Sequence, residues 1–386
     1  MWPAGSFEIG FYNPYQRWRG QDSPDPAMMH GSARPISVYC WMPMMPLWPE
    51  LSKGAGALER ASAEWDNFCV VTTLSPWRLA RSRMPDVGNV IFADSLQRDR
   101  LERMAQQTDE FGLIVGLGSG LAMDTAKYLA KAKQSDLVQV LSTCSNNACF
   151  TRTAWTFENG TRVPERDIPV PRQLVVDYDL LRQAPARMNR AGAAEILCSH
   201  TALFDWKLAH AAGVDVQWDD ELARSTHVEL EALARNAPAI GADRLDAFVE
   251  ILEVGAKFAH GFTTHPKARF NAGSEHVFSW ALEATCGKRL IHGEAVSLGI
   301  VVMAHIQGND AGKAAGIIQS AQIGFQPEQL GITWREVEAT VVGLPQYATR
   351  VPWYTIIDEF RKHGEEGLRD LQDRFAAAKD FVQRLH

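Results

Sequence analysis

The sequence predicts two parts. An α/β unit over residues 1–185 is built on a parallel sheet with crossover helices, and an all-α unit follows over 186–386. Two patterns predict it. Short apolar runs recur through the first half, separated by helical stretches of roughly ten to twenty residues, as strands joined by crossover helices are. After Ala184-Pro185 strand-like alternation nearly vanishes, and apolar residues return at helical spacing. With 386 residues the chain is long enough for each part to bury its own core.

The elements follow in order. Residues 1 to about 50 are rich in Trp, Pro and Met and show no clean period, so an irregular or partly stranded segment packed on the body is expected. Phe68-Cys-Val-Val-Thr reads as a strand, as does Asn89-Val-Ile-Phe-Ala. Gly112-Leu-Ile-Val-Gly is a third, running into glycines and a helix, and Leu137-Val-Gln-Val-Leu is a fourth. Gln173-Leu-Val-Val-Asp closes this half. Helices are then expected over Arg190–Ala212, His227–Asn236, Ala242–Phe262, Ser274–Thr285 and Gly293–Gly308. No internal repeat interrupts them.

Composition narrows the function. Hydrophobic residues at 46% and charged residues at 22% fit a folded globular chain rather than a disordered one. The net charge is −7 and Arg is scattered, so no nucleic-acid footprint is indicated. The first twenty residues lack the basic start and apolar stretch of a signal peptide, and the run from Ile36 to Trp48 is broken by prolines and too short to span a bilayer. No membrane partner is expected. The six cysteines, at 40, 69, 144, 149, 198 and 286, show no CxxC spacing, so reduced thiols in the cytoplasm are the expectation.

The segment from Val115 to Lys127 follows a strand and opens a helix, with glycines at 116, 118 and 120. Such a turn lets backbone approach a pyrophosphate, and the new helix offers free N–H groups and a positive dipole end. The alternative is a tight strand-to-helix turn that binds nothing. Asp124 and Lys127, one helical turn apart, would then be a surface ion pair worth about a few tenths of a kcal/mol. The segment is not a Walker loop, since no Gly-Lys-Ser/Thr follows. It also lacks the GxGxxG and distant acidic residue of the common dinucleotide fingerprint.

In the helical half Glu195, His276 and His292 each stand near the start of an expected helix. Two histidines and a carboxylate from three helices of one bundle can meet in its core and leave coordination positions open for a substrate oxygen. Any one of them alone is more often a satisfied core or surface group.

These segments together resemble the superfamily of iron-type alcohol dehydrogenases, glycerol dehydrogenases and dehydroquinate synthases, with the nearest likeness to its sn-glycerol-1-phosphate dehydrogenase branch. The likeness is carried by Gly118-Ser-Gly with Asp124 and Lys127, by Thr201 to Ala209, by Ala272-Gly-Ser-Glu-His276, by His292-Gly-Glu-Ala-Val and by Val351 to Ile357. It implies a dehydroquinate synthase-like fold, with the N-terminal half binding NAD(H) or NADP(H) and the helical half one divalent metal (zinc, nickel or iron). By resemblance Glu195, His276 and His292 fall on the metal-ligand positions. Gly118, Ser119, Gly120 and Asp124 fall on the pyrophosphate turn, and Thr143 and Ser145 lie in the segment that meets the nicotinamide nucleotide. Arg269 falls on a position that contacts substrate. A small-molecule substrate is implied, and a homo-oligomer is compatible with it.

The departures are on the substrate side. Glu195 stands where the glycerol-phosphate branch has Asp, and Asn147-Ala148 replaces a family Asp. Cys198, Ser199 and His200 occupy the place of a phosphate-binding Lys, and Trp280 replaces a second His four residues after His276. His200, His265 and Lys267 are the candidates to compensate. The expected substrate-side residues are therefore Arg269, Trp280 and His265. The leading expectation is hydride transfer between NAD(P)H and a carbonyl, on a hydroxycarbonyl or polyol that can carry phosphate. The alternatives are a dehydroquinate synthase-like cyclase, slightly favoured by Glu195, and a non-catalytic relative that keeps the metal for stability.

Overall fold

The structure is a computed structural model and describes residues 50–385 other than 86, 159–160 and 215. The expectation for residues 1–49 lies outside the described residues. The strands are β1 (Glu50–Gly54), β2 (Phe68–Thr72), β3 (Val90–Phe92), β4 (Leu113–Gly118), β5 (Asp136–Leu141), β6 (Ala154–Glu158), β7 (Thr161–Glu165) and β8 (Gln173–Asp177). Six of them form one parallel sheet in the order β1-β8-β5-β4-β2-β3. All five expected strands are present. β4 is central, with Leu113 paired to Phe68 of β2 on one side and to Asp136 of β5 on the other. All six of its residues are buried, which explains its unbroken apolar run: a parallel strand covered on both faces has no polar side.

The sheet's helices are α1 (Ala57–Ser62), α2 (Leu74–Ala80), α3 (Arg98–Gln107), α4 (Gly120–Lys133) and α5 (Tyr178–Gln183). Strand β1 and the β6–β7 pair were not expected. β1 reads Glu-Leu-Ser-Lys-Gly, too polar to signal a strand, and is held as a sheet edge by its pairing with β8. β6 and β7 form a separate antiparallel hairpin inserted between β5 and β8.

From residue 186 every regular element among the described residues is helical: α6 (Ala186–Ala191), α7 (Ala194–Leu197), α8 (Ser199–Ala211), α9 (Asp220–Gly241), α10 (Leu245–Thr264), α11 (Ser274–Cys286), α12 (His292–Gln307), α13 (Ala311–Ser320), α14 (Pro327–Leu330), α15 (Trp334–Ala348), α16 (Ile356–Lys362) and α17 (Gly364–Gln383). The single helix expected over Arg190–Ala212 is broken into α6, α7 and α8. The break is at Gly192, where an added Cβ would stand 1.9 Å from the carbonyl oxygen of Cys144. Gly192 and Ala193 keep helical dihedrals although the α-helix is interrupted, and the missing side chain at Gly192 leaves room for the loop after β5.

Helix α12 is the axis of this half. All its residues except His292 at its start and His305 near its end are buried, as expected of a helix enclosed by others. It packs on α7, α8, α11, α13 and α17. Leu298, Ile300, Val301, Val302 and Ile306 are fully buried, each contributing about 1.5–3 kcal/mol. The position of His292 is thus fixed by one of the most firmly packed elements in the chain.

Candidate active site

The chain enters the sheet at the β1 edge, passes to β2 and β3, and returns across β4, β5 and β8. The direction of travel reverses between β2 and β4, and such a reversal opens a crevice outside the carboxyl ends of the strands. A cleft of about 1050 Å³ lies there. Its floor comes from the segments that follow β3, β4 and β5: Ser95 to Gln97, Ser119 to Leu121 and Ser145 to Ala148. Its opposite wall comes from α7, α11 and the start of α12.

The glycine turn opens on this cleft. Gly118 has φ of +152°, and an added Cβ would lie 2.9 Å from Cβ of Ala122, so both conformation and space ask for glycine. Ser119 and Gly120 line the cleft at the start of the fourteen-residue α4, whose first N–H groups have no partner within the helix. Ser145 lines it too. Thr143 is buried just behind, its hydroxyl 2.9 Å from that of Ser145, and supports the wall rather than forming it.

Asp124 and Lys127 are not a surface pair. Both are buried, 3.2 Å apart, and Lys127 Nζ also donates to the carbonyls of Ala148 and Thr153 and to the Thr151 hydroxyl. The hairpin and the loop after β5 cover this face of α4, which a helix-surface reading of spacing four residues or fewer does not foresee. Lys127 thereby ties α4 to the loop that lines the cleft. Burial raises the pKa of Asp124, although Lys127 works against it.

Across the cleft, Glu195, His276 and His292 meet. Each sits at a helix start: Glu195 second in α7, His276 third in α11, His292 first in α12. One donor atom from each lies within 4.8 Å of the others. Glu195 Oε1 and His292 Nε2 are 3.1 Å apart, and the two imidazole rings are 5.4 Å apart. Yet buried Glu195 Oε1 has no hydrogen-bond partner among the described residues. Atoms so close and so aimed suit a shared cation better than each other. Burial pushes the Glu195 carboxyl up, but His292, His276 and Arg162 bring it below its usual value, so it is a carboxylate.

The tautomer of His276 is set from behind. Its Nδ1 lies 2.8 Å from Oε1 of fully buried Glu275, which also accepts from the Gly273 amide at 2.7 Å. Glu275 Oε2 accepts from the Thr201 hydroxyl at 2.8 Å. With Nδ1–H committed to Glu275, Nε2 is the lone pair offered to the cleft. Burial opposes protonation of His276, but Glu275 prevails and lifts its pKa. Cys198 also lies within 4.8 Å of Glu275 and His276. Burial drives its thiol pKa well up, and both Glu275 oxygens are already bonded, so that group does not form a second cation site.

Behind Glu275, Asp205 accepts from the amides of Ser274 and Ile356 at 2.7 and 2.8 Å. Its pKa is pushed up to about 7, first by burial and then by Glu275. It joins α8, α11 and the start of α16 at one point.

Of Arg269, Trp280 and His265, only Trp280 lines the cleft, as do Asn147 and Ala148. Arg269 is buried outside it, donating from Nη2 to the Tyr354 carbonyl near Asp205, Glu275 and Asp358. His265 caps α10, its Nε2 3.7 Å from Asp219 and its Nδ1 2.9 Å from the Thr264 hydroxyl. Neither His200, His265 nor Lys267 reaches the cleft lining. The residues the sequence did not reveal are Trp155 and Arg162 of the hairpin and Trp353 before α16, all of which line it. Their arrival depends on how the hairpin folds over the helical half, for which local spacing carries no signal.

A profile of iron-containing alcohol dehydrogenases matches residues 84–185. The chain is 26% identical over 277 residues to the glycerol-1-phosphate dehydrogenase [NAD(P)+] of Aeropyrum pernix, covering 72% of this chain and 74% of that protein. It is 24% identical over 349 residues to that of Methanosphaera stadtmanae, covering 86% and 97%. Among solved structures, its fold is similar to a probable glycerol dehydrogenase from Sinorhizobium meliloti (TM-score 0.69, 19% identity, 88% and 98% covered). It is likewise similar to a sulfoacetaldehyde reductase from Bifidobacterium kashiwanohense in complex with NAD+ (TM-score 0.61, 15% identity, 88% and 99% covered).

Proposed function

We propose that the chain is a member of the iron-containing alcohol dehydrogenase superfamily, a metal-dependent NAD(P)H oxidoreductase acting on a small hydroxycarbonyl compound or polyol. The observation that carries this is the convergence of Glu195, His276 and His292 on a cleft whose opposite floor is the glycine turn. On this reading residues up to 185 form the nucleotide domain and those from 186 the metal domain.

The donor set fits one divalent cation: a carboxylate with an unpartnered buried oxygen and two imidazoles, one with its tautomer fixed. Once bound, the ion would supply Lewis acidity toward a carbonyl oxygen and the nicotinamide would supply a hydride. The chain's own part is placement. Ser119 and Gly120 offer backbone donors for a pyrophosphate, with Ser145 beside them. Glu275 orients His276, and the packing of α12 holds His292. Trp280, one turn beyond His276, excludes water from the inner end of the cleft.

The test follows NADH absorbance when metal-loaded protein meets a panel of hydroxycarbonyl compounds that includes dihydroxyacetone and its phosphate. Steady, stoichiometric consumption, reduced to background by His276→Ala, is expected. Product formation without net NADH loss would instead mark a cyclase that regenerates its cofactor. No consumption with metal and NADH both bound would overturn the oxidoreductase reading.

A further inference from the structure

Next to the three ligands the cleft is walled by indoles drawn from three distant parts of the chain. Trp155 comes from β6, Trp280 from α11 and Trp353 from the segment before α16. Trp280 lies 5.7 Å from Trp155 and 5.1 Å from Trp353 between ring centroids, and 5.8 Å from the His276 ring. The rings are tilted by 50° and 43° rather than stacked, so they do not consume one another's faces. Trp155 and Trp353 are only half-buried. Apolar faces held open in a cavity are stabilised by an apolar ligand at about 25 cal/mol per Å² covered.

The polar groups at this wall point the same way. Arg152, Lys288 and Arg289 also line the cleft, but the cation set against the indoles is Arg162, its guanidinium 5.7 Å from the Trp280 ring and 5.3 Å from that of Phe157. Its charge is already faced by Glu283, with Nη2 3.4 Å from Oε2. A dianionic phosphate would meet that carboxylate, and phosphate recognition needs several uncommitted donors. Two donors here are buried without partners among the described residues: Trp280 Nε1 and Arg162 Nε. Trp280 itself is 6% exposed. With Arg162 already facing Glu283, these two donors can serve a substrate oxygen at this wall.

We propose that this wall is a ring subsite, and that the substrate is a hydroxycarbonyl compound bearing, on the side of its carbonyl away from the hydroxyl, a flat apolar ring rather than a phosphate. It rests on the oxidoreductase reading for the reaction, but not for binding. The ring would lie against Trp155 and Trp353, and a substrate oxygen would accept from Trp280 Nε1.

Three compounds that share one ketol and differ at the far end test this: phenacyl alcohol, dihydroxyacetone and dihydroxyacetone phosphate. Calorimetric titration of the metal-loaded protein reads binding, and NADH consumption reads kcat/KM. Phenacyl alcohol should bind at least about tenfold more tightly than either comparator, since one aromatic contact is worth about that factor. Trp353→Ala and Trp155→Ala should each remove most of that advantage while their circular dichroism matches the parent. Trp280→Phe keeps a ring but loses the donor, and should weaken all three ketols by a similar factor. Tighter binding of dihydroxyacetone phosphate than of phenacyl alcohol would overturn the proposal, as would alanine variants that keep the preference. Tight phenacyl alcohol binding without NADH consumption would sustain the subsite and sink the oxidoreductase reading, so the two fail separately.

Discussion

At His276 the decisive neighbour is Glu275, one position earlier on α11. A buried carboxylate that accepts from Nδ1 orients the ring and raises its basicity as a ligand. Glu275→Gln keeps the shape and still offers an oxygen, but removes the charge. Metal affinity should fall by about 10–100-fold, with the fold intact by circular dichroism; an unchanged metal titration would remove Glu275 from this role. Glu195, His276 and His292 were legible because each lies at a helix start inside a segment with family likeness. Arg162, Trp155 and Trp353 were not, since what makes them neighbours is the docking of a hairpin and a late segment against α11. Arg269 and His265 show the converse error. Family likeness put Arg269 in the site and lost polar groups suggested His265, but the chain after α10 turns them into the interior and onto a helix cap.

Among elements, glycines decide where helices can cross. Gly192 passes the Cys144 carbonyl, and an added Cβ at Gly293 would stand 1.9 Å from the carbonyl of Ala191. These two contacts bring α6, α7 and the start of α12 together, and so bring Glu195 to His292. Gly192→Ala must push backbone against backbone, at a cost of about 1–3 kcal/mol. Urea unfolding should show a lower midpoint with an unchanged slope, and metal affinity should fall with it; an unshifted midpoint would mean the loop after β5 yields freely. The parallel strands were readable because strands buried on both faces are continuously apolar. β1 was not, because its strand character is conferred by β8 rather than by its own residues. The α6–α7–α8 break was hidden for a related reason: the carbonyl beside Gly192 lies 48 residues away in sequence, counted from Cys144 to Gly192.

For the whole molecule, the three candidate ligands stand on three separate helices, α7, α11 and α12. A cation held by all of them is bound by the folded state and not by the unfolded one. At about a hundred times its dissociation constant it adds about 2.7 kcal/mol. Melting temperature should rise on adding zinc, nickel or iron(II), fall back on chelation, and show neither response in His276→Ala. A parent melt indifferent to every one of these ions would count against the cation site itself. No helix among the described residues is long and apolar enough to cross a membrane.

The β6–β7 hairpin has one more consequence. It pairs with none of the six strands of the main sheet, yet it delivers Trp155 and Arg162 to the cleft. Its cleft-facing side chains can therefore be exchanged without breaking any strand pairing of the main sheet. That makes the hairpin a cassette through which a lineage could change what it recognises while leaving its chemistry alone.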